Sequence, residues 1–482
     1  MMHTVLLVQP NAGYFLQEHI GRPLVPTGIL LVGTALHHAG YQVKIIDQRI
    51  EKDWKLQVLE VLKENVICLG ISCMTGTQIL NGLEIAEFVR SHSTIPIVWG
   101  GVHPTLLAEQ TLENEFVDIV VRREGEETMV ELTDALKNNR SLSGIRGVSY
   151  KESGKIAHNP DREFIDLNKQ PLPHWELIDM HRYINAKPGY NSVSIATSRG
   201  CPFDCKYCFV NAFHKRRWRA LNADNVLKMI TFLVNKYGIN WFQFDDEEFF
   251  IDLGRSRELV GQLKKLNIRW EALIRVDDIL RMDSAFLKLI KQSGCILLGV
   301  GAESGSNKML ELMNKKITRE DIIEANRKLA KYHLKSEFYF MVGLPTETLE
   351  DLRKTVSLAL QLKKENRRVR IASFFIFTPV PGCELHDLAV AHGLKQPDCL
   401  GKWGAFHHSI DNTAWFSKDM QRAIRMLAFT SPFLNDPGDT YPPLYVKVLG
   451  RLYGPIARQR IKHLFFYFPL EIFLAKWLKL YY

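Results

Sequence analysis

The chain has 482 residues, of which 46% are hydrophobic and 24% are charged, proportions typical of a globular protein with a large core and two or three domains. The net charge of +9, from 62 basic and 53 acidic residues, is mild. No stretch of about 18 apolar residues is free of charge, so we predict no membrane-spanning helix.

The eight cysteines follow no secretory pattern, and no signal peptide precedes the strand-like segment at residues 4–9. A secreted disulfide framework is therefore not expected, and the predicted setting is a reducing cytoplasm. The basic excess comes without a basic–aromatic motif, which argues against a nucleic-acid partner.

Residues 1–145 alternate strand and helix signals, which predicts a doubly wound parallel sheet. A helix is predicted over residues 26–40, closed by Gly40. Ligands bind such sheets at the carboxyl ends of the strands. The strand-end segments of this region are 72–76, 100–103 and 122–126.

Residues 146–190 have the composition of a linker. The segment 146–158 predicts a hairpin, and a polar, proline-rich stretch begins at Asp166. We therefore expect a connector between two larger domains.

Three cysteines, Cys201, Cys205 and Cys208, directly follow an apolar, β-branched run at residues 192–198. The run predicts a short buried strand, and Gly200 and Pro202 then break it into a loop. Thiolates at this spacing select zinc, copper(I) or an iron–sulfur cluster. With no second cysteine pair nearby, three ligands favour a four-iron cluster with one iron left open. The alternatives are a zinc site with a distant fourth ligand and unrelated core cysteines.

Residues 191–390 alternate strands and helices again. The strand at 241–250 ends in four carboxylates, Asp245, Asp246, Glu247 and Glu248. Carboxylates packed together repel one another, so a cationic partner is expected. A solvated acidic turn is the alternative interpretation.

The last region, 391–482, differs in composition. A helix is predicted at 412–428, and residues 441–482 are aromatic and basic, with Glu471 as their single acidic residue. Basic residues with an apolar face suit an anionic membrane surface. The alternative is a helical cap on the rest of the protein.

The cysteine triplet, with Tyr207 before its third member, resembles the radical S-adenosylmethionine (SAM) superfamily. The resemblance implies a partial (β/α) TIM-type barrel over 191–390. It also implies a [4Fe-4S] cluster on Cys201, Cys205 and Cys208 whose open iron binds S-adenosylmethionine and cleaves it to a deoxyadenosyl radical.

Later segments resemble further motifs of the same family in the same order. They are Gly-x-Glu-Ser at 301–304, Gly-Leu-Pro-Thr-Glu-Thr at 343–348 and Pro-x-Pro-Gly at 379–382. The cofactor-binding residues that the resemblance implies are Tyr207, Asp246, Glu247, Glu248, Arg275, Glu303, Ser304 and Gly343. Among these, Arg275 is expected to pair with the S-adenosylmethionine carboxylate, and Glu303 and Ser304 to contact its ribose and methionine.

Residues 1–145 resemble the cobalamin-binding, Rossmann-like domain fused to many radical SAM enzymes. The matching residues, implied to contact cobalamin, are Ser72, Thr75, Gly100, Gly101, His103, Glu124, Gly125 and Glu126. The Asp-x-His-x-x-Gly motif is absent, so no protein histidine is expected to ligate cobalt. The alternative is a Rossmann-like domain that binds nothing.

Together these resemblances imply an enzyme that methylates an unactivated carbon, or a similar poor nucleophile, of a small-molecule or lipid substrate. The alternatives are radical cyclisation, rearrangement or C–C coupling without methyl transfer, and a non-catalytic corrinoid or iron–sulfur sensor. The expected partners are an electron donor such as flavodoxin or ferredoxin and, through the tail, a membrane surface.

Overall fold

Two sheets of seven strands each organise the chain, and two further short strands pair as a separate ribbon. The structure is a computed structural model that describes residues 3–13, 23–406, 413–435 and 444–468, with the backbone alone at 444–450. The α/β class predicted from the alternating strands and helices is confirmed.

The first sheet has the strand order β2-β1-β3-β4-β5-β6-β7. Strands β1 to β5 are parallel, and the hairpin β6–β7 adds antiparallel at the edge. The strands are β1 (Thr4–Gln9), β2 (Gln42–Asp47), β3 (Val66–Ser72), β4 (Ile97–Gly100), β5 (Ile119–Val121), β6 (Val148–Glu152) and β7 (Lys155–His158). The predicted hairpin therefore forms, and it extends the first sheet beyond residue 145.

Helices cover both faces of this sheet, and its central strands β1, β3, β4 and β5 are accordingly mostly apolar. One face packs against Ile29, Leu36 and Met129, and the other against Trp54 and Ile79. The helices are α1 (Thr27–His38), α2 (Trp54–Leu62), α3 (Thr77–Arg90), α4 (Val102–Leu106), α5 (Ala108–Glu113) and α6 (Glu126–Lys137).

The second sheet has the strand order β16-β15-β14-β13-β12-β9-β8. Six of its strands are parallel, as in the predicted partial barrel, and β8 pairs antiparallel with β9. The strands are β8 (Asn185–Lys187), β9 (Tyr190–Ile195), β12 (Trp241–Phe244), β13 (Arg269–Arg275), β14 (Cys295–Glu303), β15 (Ser336–Val342) and β16 (Val369–Ile376), and the ribbon is β10 (Ser198–Arg199) with β11 (Arg219–Ala220).

Helices follow the barrel strands, and several begin at a side-chain cap that the sequence encodes locally. Thr318 and Thr348 each form a capping box with the aspartate three residues later. The helices are α7 (Val210–His214), α8 (Ala223–Tyr237), α9 (Leu253–Leu266), α10 (Val276–Arg281), α11 (Ser284–Gln292), α12 (Asn307–Leu312), α13 (Arg319–Lys331), α14 (Leu349–Glu365) and α15 (Glu384–Ala391).

The C-terminal region packs back on both domains. Trp403 is buried in the core of the first domain, and its indole N–H donates to Gln110 Oε1 at 2.6 Å. Helices α16 (Lys418–Thr430) and α17 (Leu444–His463) follow. The helix predicted at 412–428 begins at Lys418, because the Ser417 side chain caps its first turn.

Within the described part of the chain, no helix is both long and apolar enough to cross a membrane. Of the region 441–482 that the sequence marks as aromatic and basic, residues 441–443 and 469–482 lie outside the described residues, Glu471 among them.

Candidate active site

The ribbon β10–β11 closes the loop that carries the three cysteines. Ser198 pairs with Ala220 and Arg199 with Arg219, so the two ends of the loop 200–218 are held next to each other. Gly200 has φ +82°, and a Cβ there would lie 2.1 Å from the Arg217 carbonyl oxygen. Glycine is therefore required for the loop to fold this tightly.

Cys201, Cys205 and Cys208 line one cavity of about 410 Å³ at the carboxyl ends of the barrel strands. Burial raises the pKa of Cys201 to about 11 and that of Cys208 to about 12, so these two thiols are protonated without metal, and metal binding would release their protons. Among the described residues no three His, Cys, Asp or Glu side chains surround a single metal ion.

Arg275 lies directly behind the cysteine loop, at the end of β13. Its guanidinium lies 3.6 Å from the ring centroid of Phe203, and its Nη1 approaches Cys205 Sγ at 3.6 Å. Asp277 pairs with its Nε at 2.9 Å, and the Lys315 carbonyl accepts from its Nη2 at 3.0 Å. The arginine expected to bind a carboxylate is thus anchored beside the cysteines by Asp277.

Sequence reasoning missed Lys315, which completes a buried polar cluster. Its Nζ donates to Glu303 Oε1 at 2.7 Å and to the Tyr207 hydroxyl at 3.1 Å, and the Tyr207 O–H donates to the same carboxylate at 2.9 Å. Burial alone would lower the Lys315 pKa, but Glu303 and Cys205 together more than offset burial and raise it, so the lysine stays charged. The predicted residues Tyr207 and Glu303 therefore meet in the cavity wall.

Three carboxylates were predicted to bind a cofactor, Asp246, Glu247 and Glu248, and they lie in different environments. Glu248 lines the cysteine cavity, and burial with nearby Asp278 raises its pKa well above the ordinary value. Asp246 is buried and accepts hydrogen bonds from the Thr197 amide at 3.1 Å and from the Ser198 hydroxyl. It does not line the cavity, so its observed role is to hold the strand that leads into the cysteine loop.

Ser304 and Gly343 lie at strand ends but make hydrogen bonds to other residues of the protein. Ser304 Oγ lies 3.1 Å from Thr355 Oγ1 and accepts from the Ser306 amide. The Gly343 amide donates to Glu347 Oε2 at 2.5 Å. Neither residue lines the cysteine cavity, and their assignment to S-adenosylmethionine remains a prediction.

Glu347 makes stability depend on pH. Burial raises its pKa from 4.5 to about 8. Between these values the folded state keeps a proton that the unfolded chain has released, so the free energy of unfolding falls as pH rises through this window. We expect Glu347→Gln to reduce that fall in urea unfolding measured at several pH values. Glu350→Gln, on an exposed side chain, should keep the wild-type slope, and an unchanged slope in Glu347→Gln would contradict the assignment.

A second cavity of about 320 Å³ lies at the carboxyl ends of the first sheet's strands. Of the residues predicted to bind cobalamin, those that line it are Ser72, Gly100, Gly101, Glu124, Gly125 and Glu126. At Gly28, which also lines it, a Cβ would meet no atom within 4 Å, so the glycine leaves open space in the wall. Five of the residues around this cleft are glycines, and their exposed backbone fits the approach of a broad, flat cofactor such as a corrin.

Thr75 and His103 do not line this cavity. Thr75 Oγ1 lies 2.9 Å from His103 Nδ1, and the imidazole packs edge-on against Trp403 at 5.7 Å between ring centroids. Burial lowers the His103 pKa to about 4. The predicted cofactor contacts of these two residues therefore find no support in the geometry, which gives His103 the role of a buried hydrogen-bonding group.

The two cavities meet at Glu247, which lines both. The Gly200 amide donates to its Oε2 at 3.2 Å, and its Oε1 lies 3.7 Å from Nε2 of His214. Burial raises the Glu247 pKa to about 7. The two cavities are therefore adjacent, with the Glu247 side chain in the wall of each.

Comparison with known proteins gives two family matches. Residues 195–359 match the radical SAM superfamily, and residues 15–133 match the B12 binding domain. An uncharacterized methyltransferase of Pyrococcus horikoshii is 31% identical over 466 residues, covering 95% of this chain and 97% of that protein. The anaerobic magnesium-protoporphyrin IX monomethyl ester cyclase of Rubrivivax gelatinosus is 31% identical over 395 residues, covering 79% of this chain and 69% of that protein.

A solved structure has the same fold along nearly the whole chain. It is the radical S-adenosylmethionine methyltransferase TsrM of Kitasatospora setae, with cobalamin and a [4Fe-4S] cluster bound. The TM-score is 0.69 at 17% identity, covering 96% of this chain and 98% of that chain. This likeness confirms the predicted pairing of a Rossmann-like domain with a partial barrel.

Proposed function

The chain belongs to the radical SAM superfamily and carries a B12-binding domain at its N-terminus, and from this premise we propose that it transfers a methyl group to an unactivated carbon, or a similar poor nucleophile, of a small-molecule or lipid substrate. The observation that carries the proposal is the junction at Glu247, where the cysteine cavity and the glycine-lined cavity meet. The first cavity has the donor chemistry for a [4Fe-4S] cluster and S-adenosylmethionine, and the second suits cobalamin.

When bound, these groups supply a carbon-centred radical from one cavity and a methyl group from the other. The chain's own residues hold and orient them. Cys201, Cys205 and Cys208 would hold the cluster, Arg275 offers its guanidinium to a carboxylate, and Glu303 accepts hydroxyl donors. Because the barrel side chains around the cysteines are largely buried, they also restrict the access of water.

The decisive experiment is anaerobic reconstitution with iron, sulfide and hydroxocobalamin, followed by incubation with methyl-deuterated S-adenosylmethionine and extracts of a deletion strain. Methyl transfer predicts 5′-deoxyadenosine together with a metabolite that carries the deuterated methyl group. Deoxyadenosine with an unlabelled, cyclised or rearranged product would favour the alternative suggested by the cyclase relative. No deoxyadenosine at all would favour a sensor.

The bound cobalt should have no histidine ligand from this chain. His103 is turned toward Thr75 and Trp403 and does not line the cobalamin cavity. We expect electron paramagnetic resonance of the cob(II)alamin form to lack superhyperfine splitting from a protein nitrogen, and His103→Gln to leave the spectrum unchanged. A nitrogen-coupled signal that His103→Gln removes would contradict this.

The cluster needs one electron for each cleavage of S-adenosylmethionine. In the predicted reducing cytoplasm a small acidic redox protein such as flavodoxin or ferredoxin supplies it. Reduction of the reconstituted cluster by such a donor, in place of dithionite, tests this part of the proposal.

A peripheral membrane contact through the C-terminal segment 444–468 is also part of the proposal. The segment contains five basic residues and no acidic one. One face is anchored, since Ile461 and Phe466 are buried in the barrel core. The other face exposes Leu452, Ile456, Phe465, Tyr467 and Phe468, with Tyr467 and Phe468 about 70% exposed. The segment therefore combines both alternatives drawn from the sequence: it is attached to the barrel, and it presents an apolar, basic surface outward.

Loss of the exposed aromatic side chains should abolish binding to anionic vesicles. Each basic residue near an anionic surface contributes about 1 kcal/mol, and apolar burial adds to it. We expect the triple variant Phe465→Ser, Tyr467→Ser, Phe468→Ser to remain in the unbound fraction in liposome flotation at low salt. Phe232→Ser, at an exposed aromatic residue on α8, is the matched control and should float with the vesicles. If the unaltered protein ignores anionic vesicles, the segment is a structural cap only.

A further inference from the structure

Arg199 ties the base of the cysteine loop to two carboxylates in the wall of the cobalamin cavity. Arg199 stands two residues before Cys201, and its Nη1 donates to Glu124 Oε1 at 2.9 Å and its Nη2 to Glu126 Oε1 at 2.5 Å. We propose that Arg199 is a positioning residue that fixes the distance between the cluster and cobalamin. The inference rests on the proposed function for the identity of the two groups.

Both carboxylates belong to the cavity wall of the first domain. Glu124 and Glu126 line the cavity, and Glu126 is the first residue of α6. Glu124 is also held by the Arg219 guanidinium at 2.8 Å and by the Ile165 amide at 3.0 Å. Since Arg199 and Arg219 are paired across the ribbon, the two strands that close the cysteine loop are fastened to one side of the cobalamin cavity.

One guanidinium pairs with two buried carboxylates, so it holds the loop and the cavity wall in position more firmly than a surface ion pair would. The exposed side-chain fractions are 21% for Arg199, 5% for Glu124 and 7% for Glu126. The planar guanidinium reaches both carboxylates at once, whereas the single ammonium of a lysine cannot reproduce that fork. Removing Arg199 would leave Glu126 buried without its counter-ion, whereas Glu124 keeps Arg219.

Other contacts hold the two domains together independently of Arg199. Tyr183 O–H donates to Asp47 Oδ2 at 2.8 Å, and the His174 amide donates to Thr34 Oγ1 at 3.0 Å. Loss of the arginine should therefore loosen the position of the cysteine loop without separating the domains. A misplacement of about 1 Å can cost a reaction about 100-fold in rate, which is why the distance matters.

The test is pulsed electron paramagnetic resonance of the full-length protein reconstituted with iron, sulfide and hydroxocobalamin. It measures the distance between the reduced cluster and cob(II)alamin. The variants are Arg199→Gln, Arg199→Lys, Glu126→Gln and the double variant Arg199→Gln, Glu126→Gln. Arg217→Gln, in the same loop but on an exposed side chain paired with Glu163, is the control.

In the Arg199 and Glu126 variants we expect the iron content and the retained corrinoid to stay at the wild-type level. The distribution of cluster–cobalt distances should shift or widen by about 1 Å or more, a displacement large enough to slow a reaction. Arg199→Lys should not restore the wild-type distribution, and the double variant should be no worse than either single one. A distance unchanged in Arg199→Gln and Glu126→Gln overturns the positioning role alone. Loss of the cluster in both Arg199→Gln and Arg199→Lys also overturns it, because the arginine would then be needed for loop folding. A wild-type protein that gives no cluster–cobalt distance overturns the proposed function as well.

Discussion

The triple variant Cys201→Ala, Cys205→Ala, Cys208→Ala is expected to lose its iron, its visible absorption and all cleavage of S-adenosylmethionine. The three thiols line one cavity, and thiolates are the ligands of iron–sulfur clusters in proteins. With all three gone, that cavity has no soft donor left among the residues that line it. Iron and sulfide analysis after anaerobic reconstitution, with deoxyadenosine measured in the same samples, checks the expectation.

The matched control for this variant is Cys399→Ala, at the exposed cysteine outside the loop. It should reconstitute to about four irons per chain, the content of one cluster. A triple alanine variant that still holds this much iron would show that the cluster is elsewhere. Because none of the three cysteines lines the cobalamin cavity, the corrinoid content should remain, which separates loss of the cluster from loss of the fold.

Replacing Lys315 with methionine should damage both stability and S-adenosylmethionine cleavage. The lysine is the counter-ion of Glu303, and both side chains are buried, at 6% and 11% exposure. Breaking a buried pair by removing one partner costs about 3–5 kcal/mol, since the other charge stays buried. Displacement of Glu303 and Tyr207 in the cavity wall should lower the cleavage rate about 100-fold, as a misplacement of about 1 Å can.

Urea unfolding and deoxyadenosine formation without substrate measure the two effects. The double variant Lys315→Met, Glu303→Gln should recover part of the stability, because it removes the unpaired charge, while cleavage stays low. Lys316→Met, at the exposed neighbour that pairs with Asp204, should change stability by about 1 kcal/mol or less. If Lys315→Met behaves like Lys316→Met, the buried cluster has no role in binding the cofactor.

Local spacing made part of the site predictable. The cysteine triplet, the glycines at strand ends and the acidic end of β12 are all contained within short segments. In parallel sheets the carboxyl ends of the strands converge, so residues at those ends could be assigned to two cavities before their contacts were known. The same reasoning predicted the hairpin at 146–158, whose strands pair directly.

Partners distant in the chain could not be predicted. Lys315 lies 108 residues from Tyr207, with which it bonds, and nothing in its own segment distinguishes it from an exposed lysine. Glu124 and Glu126 were predicted as cofactor contacts, and they do line the cavity. Their hydrogen bonds to Arg199, 75 and 73 residues away, appear only once the two domains are packed together.

The sequence by itself therefore determined the α/β class, the order of the two domains and the family, and it predicted the cysteine loop as a metal site, because these depend on periodicity and on residues close together in the chain. The tertiary structure decided which carboxylates line a cavity and which, like Asp246, accept hydrogen bonds inside the protein. It also placed Glu247 in the walls of both cavities. The physical reason is that burial and the pairing of charges are set by segments far apart in the chain, and only packing brings their side chains within hydrogen-bonding distance.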